Sequence, residues 1–273
     1  MSKQLFGRIL SADGWVTGTI SFDNTIHAII ADAQVGQDKD LPIILPGFID
    51  LHLHGGMNAD IMHGATAAHT TARIHAKHGT TSFLATTMTA PVPEIIHALK
   101  GVAHCMAHPD EQGADILGVH LEGPYINSKK LGAQPNYAIA ATINQITEFN
   151  AISPLRVITL AAEVHQHLAL IPHLIQQGWR VQLGHSNSSY DETVAAMQAG
   201  ATGFTHLFNA MTALHHRSPG MVGAALAHAD YAEIIPDLVH VSFWGPIGDS
   251  ARDSKTLCCY RCHRRHRHAR WHL

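Results

Sequence analysis

A chain of 273 residues, 46% of them hydrophobic, is long enough for one large domain or two modest ones and can bury a sizeable core. Its formal charge of -3 and low charged content of 14% give no electrostatic reason to expect a nucleic-acid or membrane partner. Three of its four cysteines, Cys258, Cys259 and Cys262, crowd near the end while Cys105 stands alone, so no disulfide framework is outlined. The opening Met1-Ser2-Lys3-Gln4-Leu5-Phe6 has no apolar run ahead of a small-residue cleavage site, and no segment is long enough to span a bilayer. A soluble cytoplasmic protein is therefore expected, and its 24 histidines need an explanation.

Residues 5–45 read as short strands, with turn signals at Ala12-Asp13-Gly14 and Asp23-Asn24. After Leu45 short apolar strands alternate with helical stretches. The pattern predicts a strand over Gly47–His54, a helix over Ala65–His78 closed by Gly79, a β-branched strand over Thr80–Thr89 and a helix over Pro93–Ala107. Strands are predicted at Ile116–Leu121, Leu155–Ala161 and Arg180–Leu183. A helix over Ser189–Gln198 follows, with Ser188 or Ser189 as N-cap and Asp191 and Glu192 in its first turn. Gly203–Leu207 and Glu233–Val241 are the last strands. Repeated βα units of this kind predict a (β/α)8 TIM-type barrel, incomplete because no eighth strand is legible, behind a small N-terminal β domain. An open doubly wound sheet is the alternative, although its glycine-rich phosphate fingerprint is absent after the first strand. The expected division is 1–44 for the β domain, 45–243 for the barrel and 244–273 for a tail of different character.

A barrel keeps its chemistry at the C-terminal ends of its strands. Strand one ends Asp50-Leu51-His52-Leu53-His54, and alternation puts His52 and His54 on one face. Strand three ends His120-Leu121-Glu122, strand five Leu183-Gly184-His185 and strand six Thr205-His206. Any one of these is more often a structural histidine or an ion-paired glutamate than a ligand. Four strand ends offering the imidazoles of His52, His54, His185 and His206 and the Glu122 carboxylate together point to a divalent metal, zinc or ferrous iron. The remaining histidines read mostly as solvated: His69, His75 and His78 on one helix, His97, His104 and His108 on or after another, His215 and His216 in a loop. His165 and His167 follow a strand but lack a matching partner.

Leu45-Pro46-Gly47-Phe48-Ile49-Asp50-Leu51-His52-Leu53-His54-Gly55 resembles the first barrel strand of the amidohydrolase superfamily. Gly118-Val119-His120-Leu121-Glu122-Gly123-Pro124-Tyr125 is narrower and resembles its N-acetylglucosamine-6-phosphate deacetylase branch, as do Gly184-His185-Ser186 and Thr205-His206-Leu207-Phe208-Asn209-Ala210-Met211. The likeness runs from about Leu45 to Val241. It implies that Glu122, His185 and His206 ligate metal, with His52 and His54 in the first-strand pair, so that one or two ions bind. It further implies that Arg217 grips a sugar phosphate, a task suited to a planar, permanent cation. Asn209, Ala210, Ala133 and Gln134 match substrate-contacting loops, and some relatives carry histidine where Gln134 stands. His240 resembles the catalytic histidine that polarises the substrate carbonyl. The implied reaction is hydrolysis of the acetamide of N-acetylglucosamine 6-phosphate, and the implied assembly is a homodimer. A dihydroorotase-like or deaminase-like amidohydrolase is a second reading, but Val157–Glu163 on strand four holds no lysine to bridge two metals. A non-catalytic metal-binding protein is a third.

The family places its proton-transferring aspartate on strand eight, and no such residue presents itself. Asp249 and Asp253 lie in a segment that resembles no family strand, and the Cys/His/Arg-rich end fits no zinc-finger spacing. A change of reading frame accounts for this. Arg261-Cys262-His263 can be encoded so that reading one base later gives Asp-Ala-Thr. Permitted codons from Leu257 onward extend the shifted peptide to YAVTDATAATGMPDGT, which resembles the family's eighth strand and catalytic loop. A one-base frameshift near Val241–Trp244 is expected, and the written chain is expected to be inactive.

Overall fold

The computed structural model describes residues 2–33 and 40–242, together with the backbone of 256–258. It divides into two compact units, Met1–Phe48 and Ile49–Leu273.

In the first unit β1 (Lys3–Ser11) and β2 (Gly14–Phe22) pair antiparallel from Lys3↔Phe22 to Ser11↔Gly14. Gly14 sits at φ +115, a conformation that favours glycine, and the Ser11 hydroxyl donates to its carbonyl. β3 (Ile26–Ala31) pairs antiparallel with β2 after a turn in which Asp23 Oδ1 accepts from the Thr25 amide at 3.1 Å. β4 (Ile43–Ile44) runs parallel to β1, giving the order β3-β2-β1-β4. Ile9 and Ile20 are its buried side chains.

The second unit opens within β5 (Phe48–Leu53) and continues with the short pair β6 (Gly55–Gly56) and β7 (Ala59–Asp60) and a 3-10 turn at Ile61–His63. Then come α1 (Ala65–Ala76), β8 (Thr80–Thr86), α2 (Val92–Ala107), β9 (Asp115–Glu122), α3 (Ile143–Ile152), β10 (Leu155–Leu160) and α4 (His167–Gln176). The sequence continues with β11 (Arg180–Leu183), α5 (Tyr190–Gln198), β12 (Gly203–Phe204), α6 (Gly220–His228), β13 (Ala232–Ile234) and β14 (Thr256–Cys258). Six strands form one sheet in the order β12-β11-β10-β9-β8-β5, and β8 through β12 pair in parallel. Every new strand joins at the same edge. A doubly wound sheet reverses direction at a switch point, so this monotonic order is that of a TIM-type barrel. β13 pairs in parallel with β14, and the Leu207 amide donates to the Glu233 carbonyl at 2.7 Å, placing β13 beside the chain that leaves β12. Phe83, Leu121, Ile158, Val181 and Phe204 from the strands are buried with Ile95 and Leu99 of α2, Phe149 of α3 and Leu174 of α4.

Two strands are shorter than their sequences suggest. β12 stops at Phe204 because His206 turns to φ +36. β13 stops at Ile234 instead of running to Val241: Pro236 offers no amide donor, and Asp237 Oδ1 accepts from the amides of Val239 and His240 at 2.9 and 2.8 Å, bending the chain. The helices α3, α4 and α6 were not legible. α4 contains Pro172, and α6 carries Gly220 and Gly223, where a Cβ on Gly223 would lie 2.4 Å from the Pro219 side chain. The assignment of 244–273 as an out-of-frame tail falls, apart from the β14 backbone, outside the described residues. Among the described residues no helix is long and apolar enough to cross a membrane.

The N-cap of α5 is Ser189. Its hydroxyl accepts from the Glu192 amide at 3.2 Å while the Glu192 carboxylate accepts from the Ser189 amide at 2.8 Å, a capping box. Ser188 turns away to Glu163. Ser189→Ala is expected to cost about 1 kcal/mol, read as a lower urea midpoint with unchanged slope.

Candidate metal centre

Alternation along β9 puts His120 with Glu122 on one face, and the extension of β5 by one residue past its end puts His54 with His52. The chain leaving β11 and β12 adds His185 and His206. Both have left-handed backbones, φ +48 and +36, which a non-glycine residue adopts only when its surroundings impose it. Gly184 permits the approach: a Cβ there would stand 2.8 Å from that of Thr205.

The imidazoles of His52, His54, His185 and His206 converge on one buried carboxylate, that of Glu122. Glu122 Oε1 lies 3.1 Å from His185 Nε2 and 3.0 Å from His206 Nε2, and these two nitrogens are 3.0 Å apart. Oε2 lies 2.9 Å from His54 Nε2. His52 Nε2 is 3.0 Å from His54 Nε2 and 3.5 Å from Oε1. Glu122 thus joins two groups of three donors, one with His185 and His206 and one with His52 and His54. The separations bracket the about 3.3 Å edge of a tetrahedron whose bonds are about 2.0–2.1 Å. Donor types and spacing are compatible with a divalent metal ion in each half.

The surroundings hold these rings in place. His185 Nδ1 bonds the Lys130 carbonyl at 2.8 Å, and His52 Nδ1 bonds Glu233 Oε2 at 2.9 Å. Gln134 donates to Glu122 Oε2 at 2.6 Å and accepts from the Thr89 amide at 2.6 Å. Glu163, just past β10, accepts from Ser186 Oγ at 2.6 Å, Ser188 Oγ at 2.8 Å and Asn127 Nδ2 at 2.8 Å, and also from the Asn187 amide, pinning the loop that begins at His185. Burial would raise the Glu163 carboxyl, but these donors hold it below its usual range. Further in, His120 Nε2, Thr159 Oγ1, Thr205 Oγ1 and Gln182 Oε1 form a chain at 2.7, 2.8 and 3.0 Å.

Burial opposes charge on Glu122, yet His52, His54, His185 and His206 hold its carboxyl well below the usual range. His120 is pushed down to about 4 by burial and by His52.

The other sequence-predicted residues divide. Gln134 is buried against Glu122, and Ala210 is half-buried, near enough that a Cβ on Gly132 would lie 3.3 Å from its own. Ala133 is exposed on the same loop. Asn209 donates through Nδ2 to the carbonyls of His206 and Leu207 at 3.3 and 3.4 Å. Arg217 is exposed and forms no ion pair with a described residue. His240 lies beyond β13 in an exposed bend, its Nδ1 2.7 Å from Asp237 Oδ2. Sequence reasoning missed Glu233, His120 and Glu163. It also misread two histidines as unpartnered or solvated. His75 is buried and bonds the Gly55 carbonyl at 3.2 Å, while His167 is buried and joins the Ala161 carbonyl to the Ala141 amide at 2.8 and 2.7 Å.

The chain is 39% identical over 241 residues to an N-acetylgalactosamine-6-phosphate deacetylase of Escherichia coli O157:H7, covering 86% of this chain. It is 38% identical over 265 residues to an N-acetylglucosamine-6-phosphate deacetylase of Vibrio furnissii, covering 92% of this chain. It spans 64% of the length of each. The crystal structure of N-acetylglucosamine-6-phosphate deacetylase from Pasteurella multocida superimposes with a TM-score of 0.81 at 30% identity, over 95% of this chain and 71% of that one. No protein-family model matches the chain.

The centre's proton balance is measurable. Burial works against protonating His52, but Glu122 and Glu233 raise its pKa to about 10, so the metal-free ring is an imidazolium at neutral pH. An ion can take its Nε2 only by displacing that proton. Affinity at the His52–His54 half is therefore expected to rise with pH, about tenfold per unit up to about pH 10, with close to one proton released per ion. Calorimetry of zinc binding in buffers of different ionisation enthalpy checks this, and an affinity that does not change with pH contradicts it.

Proposed function

The chain belongs to the N-acetylglucosamine-6-phosphate deacetylase family, and on that footing we propose that its fold serves hydrolysis of the acetamide of N-acetylglucosamine 6-phosphate to glucosamine 6-phosphate and acetate. The observation that carries this reading is the convergence of His52, His54, His185 and His206 on buried Glu122. These five residues would hold one or two ions, zinc or iron by donor type. A bound divalent ion supplies Lewis-acid polarisation and acidifies water to a pKa of about 7.

The chain's own residues supply the rest. Arg217, exposed and without an ion-pair partner among the described residues, would take the 6-phosphate bidentately. The Ala133–Gln134 loop and the Asn209–Ala210 turn, which flank Glu122 and His206, would line the sugar. His240 would donate to the acetamide oxygen, with Asp237 orienting the ring through Nδ1. We assign 1–44 to a small β domain, 45–243 to the barrel and 244–273 to an out-of-frame tail. Family likeness supports a homodimer acting on a small sugar phosphate in the cytoplasm, and the net charge of -3 gives no support to a nucleic-acid or membrane partner. The proton that water loses and the departing amine gains has no assigned carrier in the written chain, which is why that chain is proposed to be inactive.

Two experiments test the reading. The written chain and a version restored by one base near Val241 are expressed and assayed for acetate release from N-acetylglucosamine 6-phosphate and its galactosamine epimer, since one relative is named for the latter. Activity only in the restored version is expected. Comparable turnover by both rejects the frameshift, and none by either rejects the deacetylase assignment. In the restored protein Arg217→Ala should raise the barrier for the 6-phosphorylated sugar by about 1.5–3 kcal/mol and leave the unphosphorylated sugar nearly unaffected. An equal loss of kcat/KM on both removes Arg217 from the phosphate.

A further inference from the structure

We infer that Glu233 is the positioning residue for the His52–His54 half of the centre: its carboxylate accepts a hydrogen bond from His52 Nδ1–H and thereby fixes Nε2 as the nitrogen presented to His54 and Glu122. The inference rests on the metal-centre reading and deepens it. His52 and Glu233 are 2% and 1% exposed, and Nδ1 to Oε2 is 2.9 Å. A neutral imidazole that donates from Nδ1 carries its lone pair on Nε2, so once the Nε2 proton is displaced that nitrogen is the donor, and Nε2 is the atom that stands 3.0 Å from His54 Nε2. A carboxylate behind a ligating histidine also makes that ring a stronger donor than a neutral carbonyl does.

The two halves differ in this respect. Behind His185 stands the Lys130 carbonyl, a neutral acceptor; behind His52 stands an anion. Glu233 could instead be thought a ligand in its own right, since it groups with His52 and His120. Both nitrogens of His120 are committed, however, Nδ1 to the Leu51 carbonyl at 3.1 Å and Nε2 to Thr159 Oγ1 at 2.7 Å. The Nδ1 of His52 likewise faces the Glu233 oxygen directly, at hydrogen-bond distance. Glu233 is itself held by backbone, its carbonyl accepting from the amide of Leu207, the residue after His206. β13 thus serves the centre through Glu233, at the middle of its three residues.

The test separates the halves in the full chain. His206→Ala leaves the His52–His54 half, and His54→Ala leaves the His185–His206 half. Glu233→Gln, which keeps the shape and removes the charge, is added to each, and cobalt(II) binding is followed by its visible absorption. Cobalt affinity is expected to fall about 10–100-fold in the His206→Ala background and to stay unchanged in the His54→Ala background. Glu233→Ala should act at least as strongly and with the same selectivity. An unchanged affinity in the His206→Ala background overturns the inference, as does an equal fall in both, which is what general loosening of the fold would produce. If neither background binds cobalt even with Glu233 intact, the metal-centre reading fails first and takes this inference with it.

Discussion

A carboxylate with no exposure to water is expensive to keep charged, and the second unit is arranged around one. Glu122 is fully buried at the end of β9. An isolated buried carboxylate would take up a proton. Here four imidazoles and the Gln134 amide meet its two oxygens and keep it ionised. No single element could supply those partners. They come from the ends of β5, β11 and β12 and from the loop after β9, so the centre exists only when the sheet has wound in order.

The same winding separates what is greasy from what is polar. On β9, Val119 and Leu121 join the core cluster while His120 and Glu122, at the alternate positions, take polar partners. His120, Thr159, Thr205 and Gln182 form a hydrogen-bonded layer next to the His52–Glu122 cluster, so that cluster rests on satisfied groups. The left-handed backbones at His185 and His206 are strain that this framework imposes, and Glu163 holds the first of them through the serines that follow it.

Features carried by local spacing were legible in the sequence. His52-Leu53-His54 on a strand, Ser189 ahead of Glu192, and strand segments separated by helix-length intervals each have a period or a cap that can be read directly. The winding order also follows from repeated βα units. Glu233 was not legible, because a glutamate in Ala232-Glu233-Ile234 looks like any strand residue and its partner His52 is 181 positions away. His120 hid in the same way beside the more conspicuous Glu122. The span of β13 was overread because Leu238-Val239-His240-Val241 has strand propensity, whereas Asp237 caps the two amides that would have continued the ladder. α4 and α6 were hidden by Pro172 and by Gly220 and Gly223, residues that mark breaks by propensity; the two glycines here sit tightly against Thr212 and Pro219.

The central proposal is that Glu122 is a ligand shared by both halves of a centre that holds one or two divalent ions. Anomalous scattering at the zinc edge from crystals of the chain grown with zinc tests it most directly. The account predicts one or two peaks beside the Glu122 carboxylate, within the His185–His206 half, the His52–His54 half, or both. Zinc bound at surface histidines with none beside Glu122 would contradict it.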